Sequence, residues 1–147
     1  MKIIFGAIVA FTMSVVSVLA GGETPSNPDA QVYFVNLQDG QTVASPMIVA
    51  FGLRGMGVAP AGTEAEMTGH HHLFINRPPL GEGADGSEEL ANGIPADENH
   101  VHFGGGQTET SLELPAGEHT LQLVLGDWSH VPHSTPVVSE VITITVK

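Results

Sequence analysis

What most constrains this chain is the lack of helical periodicity. From Gln31 onward the apolar residues come in short β-prone runs punctuated by glycine and proline. Period-two runs bounded by turn residues are the mark of half-buried strands. Strands are expected near Gln31–Leu37, Met47–Arg54, His70–Asn76, His100–Phe103, Gln107–Leu114, His119–Gly126 and Val138–Val146. Seven strands of this length predict an all-β fold, an immunoglobulin-like antiparallel β-sandwich, as a single domain over residues 31–147.

The segment before that domain has a different character. Lys2 is followed by an almost wholly apolar stretch from Ile3 to Val18, and Val18-Leu19-Ala20 ends in a small residue. This is the pattern of a secretory signal peptide cut near Ala20. A membrane anchor is the competing reading, because the stretch is marginally long enough to span; the small and polar residues that follow it favour cleavage. The expected location is periplasmic or extracellular, without stable membrane insertion after cleavage. Gly21 to Ala30, rich in Gly, Pro, Ser and Asn, reads as a flexible leader.

Charge and cysteine content narrow the partners. The chain carries a net charge of −12 and no cysteine. Such a surface repels phosphate backbones and anionic lipids, so nucleic acid is excluded as a natural partner. In an oxidising compartment no disulfide staples the fold, and no thiolate is present to bind metal. Cations are the natural small partners, with another exported protein as a further one.

Two segments read as irregular. Gly55 to Gly69 is a long loop between the second and third expected strands. Pro78 to Asn99 is longer and acidic, and is expected to be a mobile, solvated excursion. Its carboxylates Glu82, Asp85, Glu88 and Glu89 are a weaker candidate for attracting cations.

Eight histidines stand against four lysines and arginines. They fall as His70-His71-His72, His100 with His102, His119, and His130 with His133. Imidazole is the common nitrogen ligand of zinc, copper and nickel, so their geometry matters. If Gly104-Gly105-Gly106 closes a short hairpin, His102 faces Thr108 and His100 faces Thr110. If Pro115-Ala116-Gly117-Glu118 closes the next, Leu112 faces Leu121 and Thr108 faces Leu125. That register turns His100 and His102 inward, on the face of Leu112, Leu114, Leu121, Leu123 and Leu125. The loops Gly55–Gly69, Gly104–Gly106 and Asp127–Pro136 are then expected at one pole, with His119 at the other.

On this reading His70, His72, His100, His102, His130 and His133 are the candidate metal ligands. His70 and His72 leave one face of a strand, as do His100 and His102, and such pairs can each give two nitrogens to one ion. His71 shares a face with Leu73 and Ile75 and reads equally as a core or supporting residue. His119 reads as a structural residue bonded to nearby backbone. A histidine site without thiolate suits a copper or zinc ion, copper being weakly favoured in an oxidising compartment, and Met56 and Met67 offer softer donors for Cu(I). The expected function is exported transition-metal binding. The alternatives are a non-metal module that grips protein or glycan with the same loop pole, and a metal-dependent hydrolase or oxidase. An enzyme would need a carboxylate such as Glu98, Glu109 or Asp127 beside an open metal position, which leaves catalysis the less favoured reading.

Three motifs together resemble a bacterial family of exported domains of unknown function, numbered 4399. They are Gly69-His70-His71-His72-Leu73, the run from Asn99 to Thr110, and the run from Gly117 to Asp127 followed by His130 and Pro132-His133. The resemblance covers roughly Val32 to Val146 and implies a bacterial, exported, single-domain protein with no established activity. Against that pattern Gly81–Gly93 looks like an insertion.

Overall fold

The computed structural model describes residues 21–147, so the expected signal peptide lies outside the described residues. These fold into strands β1 (Gln31–Phe34), β2 (Thr42–Val43), β3 (Met47–Arg54), β4 (Gly57–Val58), β5 (Thr68–Ile75), β6 (His100–His102), β7 (Glu109–Leu112), β8 (Gly117–Gly126) and β9 (Ile142–Val146), with one helix, α1 (Gly86–Asn92), between β5 and β6. Every expected strand is present in whole or in part, and β2 and β4 are two-residue additions.

The strands form two sheets. One has the order β1-β3-β7; the other runs β2-β9-β8-β5-β4, with β6 also paired to β5. All pairings are antiparallel except the short parallel contacts β2–β9 and β4–β5. Strand alternation sends Val49 and Phe51 from one sheet, and Leu73, Leu121, Leu123, Leu125 and Ile144 from the other, into a shared core. The all-β sandwich expected from the sequence is the observed class.

The two hairpins do not form. β6 pairs with β5, His72 opposite His102 and Phe74 opposite His100. β7 instead crosses to the other sheet, Met47 opposite Leu112 and Ala50 opposite Glu109. Gly104–Gly106 and Pro115–Glu118 are therefore arches between sheets, and His102 never faces Thr108. Leu112 still points into the core, but from the opposite sheet to Leu121, which is why the alternation pattern fitted both arrangements. The consequence is a change of face. On β6 it is Val101 that packs against the core. His100 and His102 share the outer face with His70, His72 and Phe74, rather than pointing into the core as expected.

That outer face is roofed. The acidic excursion expected to be mobile and solvated carries α1 and packs Leu80, Leu90 and Ile94 on Phe74 and Val124. Three apolar anchors in an otherwise polar stretch suffice, because the sheet face beneath offers large apolar side chains that water would otherwise cover. Arg77, two residues past the end of β5, lies with its guanidinium 4.4 Å from the Phe74 ring centre. It ion-pairs with Glu89 of α1, which is buried. Glu89 is thus a structural clasp rather than part of a cation-attracting surface. The leader, expected to be flexible, is hydrogen-bonded along Pro132–Thr135, Gly22 N–H donating to the Pro132 carbonyl at 2.8 Å and the Ser134 N–H to the Thr24 carbonyl at 2.8 Å.

Candidate metal centre

The three loops do meet at one pole. The Ala61 N–H donates to the Gly104 carbonyl at 2.9 Å, and the Gly62 N–H to the Trp128 carbonyl at 2.8 Å. Beside this junction five of the six candidate histidines come together. Ring centres lie 4.7 Å apart for His70 and His72, 4.9 Å for His70 and His102, 5.0 Å for His70 and His130, and 4.5 Å for His102 and His130. His70, His102 and His130 each turn a ring nitrogen to within 4.8 Å of the other two. Behind them His72 Nε2 is 3.0 Å from His70 Nε2, and His72 Nδ1 is 2.9 Å from His100 Nε2.

His133 is not in this group. It is buried, and its Nε2 lies 3.2 Å from the Thr68 carbonyl oxygen, tying the 132–135 segment to the start of β5. His119 stands at the other end of β8, its Nδ1 2.9 Å from Asn76 Nδ2 and its Nε2 2.9 Å from the Pro115 carbonyl, a structural residue as expected. His71 faces the core against Phe51, ring centres 5.2 Å apart. Met56 packs on the core and Met67 is exposed beside Trp128, so both thioethers belong to packing and surface.

Each histidine is aimed by something specific. β5 and β6 supply two residues apiece on one sheet face. His130 comes from a loop, with φ of 70°, a left-handed conformation that a non-glycine residue keeps only where its surroundings enforce it. Asp127 does the enforcing. Its Oδ1 accepts the Ser129 N–H at 2.8 Å and the Val131 N–H at 3.0 Å, and its Oδ2 accepts the Thr24 hydroxyl at 2.6 Å. The roof contributes as well, since the Ile94 N–H donates to the His130 carbonyl at 3.0 Å. Two glycines make the space. A Cβ at Gly126 would come within 2.5 Å of His72 Nε2, and one at Gly104 would collide with the His102 ring. The sequence offered only a faint signal for these helpers. Gly126-Asp127 at a strand end reads as a turn, not as room for an imidazole from the neighbouring strand.

The electrostatics favour neutral imidazoles. Burial, reinforced by His102 and His130, pushes the His70 pKa down to about 4 against the opposing pull of Asp127. Burial and then the Arg77 charge bring His100 down to about 4. Burial followed by the four neighbouring imidazoles holds His72 well below the usual histidine value, and burial and His130 lower His102. Several lone pairs are therefore available near neutral pH, the state in which imidazole binds metal. Among the described residues His102 Nε2 is buried with no hydrogen-bond partner, and His70 Nε2 meets only the facing His72 Nε2 at 3.0 Å. Buried polar atoms are ordinarily satisfied, and an ion would satisfy them.

His71 gives a clean pH prediction. The Gln107 backbone lies near its ring, yet neither ring nitrogen makes a well-formed hydrogen bond, and burial drives its pKa down to about 4. The unfolded chain takes up this proton near pH 6.5, whereas the native state does so only near 4. Stability contributed by the neutral ring is therefore full above 6.5 and is lost as pH falls toward 4. For this residue alone the loss is on the order of 3 kcal/mol. Thermal melts of the metal-free protein between pH 7.5 and 4.5 should show this decline, and His71→Leu should show a shallower one.

Residues 49–147 match the family described as Domain of unknown function (DUF4399). The chain belongs to this family. The matched region contains every histidine of the cluster and both sheets apart from β1, β2 and the first residues of β3. No curated protein and no solved structure matches the chain. Among the described residues no helix is long and apolar enough to cross a membrane.

Proposed function

We propose that this member of the family is an exported transition-metal-binding protein whose site is built from His70, His102 and His130, with His72 and His100 behind them. The observation that carries this reading is the convergence of three imidazole nitrogens within 4.8 Å of one another, drawn from β5, β6 and the 127–131 loop. Nothing in the packing of a sandwich requires five imidazoles in contact, and gathering them without partners is unfavourable. A bound ion supplies that partner.

Copper(II) is favoured over zinc. An all-nitrogen donor set binds both, but at a given nitrogen site the divalent series places copper(II) above zinc. The absence of cysteine from the chain removes the donor that most favours copper(I). His102 and His130 are partly exposed while His70, His72 and His100 are fully buried, so the ion reaches solvent or a delivery partner past the first pair. Delivery or buffering fits such an open site better than sealed storage.

The hydrolase alternative needs a carboxylate free to activate water. Asp127, the carboxylate nearest to His70 in its electrostatic influence, accepts three hydrogen bonds, two from its own loop and one from the Thr24 hydroxyl. It shapes the site and has little left for proton transfer. The interaction-module alternative draws on exposed Trp128 and Met67, which line a shallow hollow with Glu64 and Glu66.

Metal analysis separates the readings. Protein purified without a polyhistidine tag, equilibrated with copper(II) or zinc and desalted, is expected to retain close to one ion per chain, with copper displacing zinc in competition. Less than about 0.2 equivalents of either would move the assignment to the interaction module.

A further inference from the structure

The five histidines are not equivalent, and their hydrogen bonding sorts them. His72 uses both ring nitrogens, Nε2 toward His70 Nε2 at 3.0 Å and Nδ1 toward His100 Nε2 at 2.9 Å. The His100 ring packs against His72, with centres 5.1 Å apart, and against Phe74 edge-on at 4.9 Å. We propose that His72 is a fourth ligand to the ion through Nε2, and that His100 is not a ligand but the positioning residue that fixes the His72 tautomer. This rests on the metal-binding reading of the site.

The spacing supports the first part. Two nitrogens about 2.0 Å from one ion stand roughly 2.8 Å apart at a right angle and roughly 3.3 Å apart at a tetrahedral angle. The two Nε2 atoms, at 3.0 Å, fall between those limits. By the same geometry, ring centres in a four-imidazole site stand about 5 Å apart when tetrahedral, and about 4.4 Å (cis) or about 6.3 Å (trans) apart in the tetragonal arrangement that copper(II) prefers. His72 lies 4.7 Å from His70 and 5.2 Å from His102, with the His130 side wider at 6.1 Å. The bare backbone of Gly126 leaves the volume that the inward-leaning His72 ring occupies.

Proton counting supports the second. A neutral imidazole that gives its Nε2 lone pair to an ion must carry its proton on Nδ1. On His72 that N–H points at His100 Nε2, which can accept only if the His100 proton is on its own Nδ1. That Nδ1 is buried and has no protein partner among the described residues, so no other protein group competes to set it. Metal-binding histidines regularly have the second ring nitrogen fixed by a carboxylate, a backbone carbonyl or water, the place His100 Nε2 takes here, and losing that acceptor weakens binding 10- to 100-fold.

The test uses the full exported chain loaded with one equivalent of copper(II), with pulsed electron paramagnetic resonance to count the coordinated imidazoles. Four are expected in the unaltered protein, falling to three in His72→Gln; a count of three in the unaltered protein that a folded His72→Gln leaves unchanged overturns the fourth-ligand claim. His100→Ala is expected to weaken copper binding 10- to 100-fold. His100→Gln, whose side-chain carbonyl can accept the His72 Nδ1–H, should bind within a few-fold of the unaltered protein. A His100→Ala protein that folds and binds as tightly, with four imidazoles still counted, overturns the positioning role. If the unaltered protein takes up no ion at all, the metal-binding reading fails and this inference with it; a tight three-imidazole site leaves that reading intact and removes only this inference.

Discussion

Replacing His70 and His102 together by alanine should abolish stoichiometric copper(II) binding, with affinity reduced by more than the 10- to 100-fold range that supporting residues command. These two residues come from different strands, β5 and β6, and His102 Nε2 is buried with no protein partner among the described residues. The double change removes two of the three nitrogens that face one another across the site. His119→Ala is the control, since His119 lies at the far end of β8 and bonds to Asn76 and Pro115. His133→Ala should also leave an ion bound, because His133 lies outside the group of converging nitrogens and its Nε2 faces the Thr68 carbonyl. Titration calorimetry on folded variants measures all three. Retained one-to-one binding in the double variant would place the ion elsewhere and end the assignment of this site.

The second large effect concerns stability. Glu89→Ala leaves Arg77 charged, largely buried and unpaired beneath α1, and breaking one side of a buried pair costs about 3–5 kcal/mol. Loss on that scale is a substantial part of the stability of a domain this size. Removing both charges as Arg77→Met with Glu89→Leu should be far milder, because the desolvation of the pair is removed along with its attraction. Urea midpoints compare the two. The single variant should also bind copper less well, since the roof it loosens delivers the Ile94 N–H to the His130 carbonyl. A Glu89→Ala protein as stable as the parent would mean that the excursion is held by Leu80, Leu90 and Ile94 alone.

Much of the site was legible as residue type and little of it as geometry. The His-x-His spacing of His70 with His72, and of His100 with His102, carries over to the structure because alternation along a strand is local. The common pole of the three loops was legible too, from sandwich topology. The facing of His100 and His102 was not. It depended on which strand β6 chooses as a partner, and glycine-rich turns serve equally for a hairpin and for an arch between sheets. Reading Gly104–Gly106 as a hairpin shifted those two side chains to the core face. The pairing of His72 with His102 puts them back beside their partners on the outer face. Likewise, counting carboxylates in Pro78–Asn99 suggested a solvated loop. Leu80, Leu90 and Ile94 have no regular spacing, so nothing local marks them as anchors for a sheet face formed elsewhere in the chain.

The amino-acid sequence by itself determined the class of fold, the supply of imidazole side chains and the exclusion of thiolate chemistry. Backbone propensity, strand alternation and side-chain chemistry are properties of short segments. The tertiary structure alone decided that five imidazoles share one cluster, that His133 lies apart from them against the Thr68 carbonyl, and that an acidic excursion forms the roof. Those outcomes depend on contacts between residues tens of positions apart, where sheet pairing and the need to cover apolar surface select among arrangements that local patterns fit equally well.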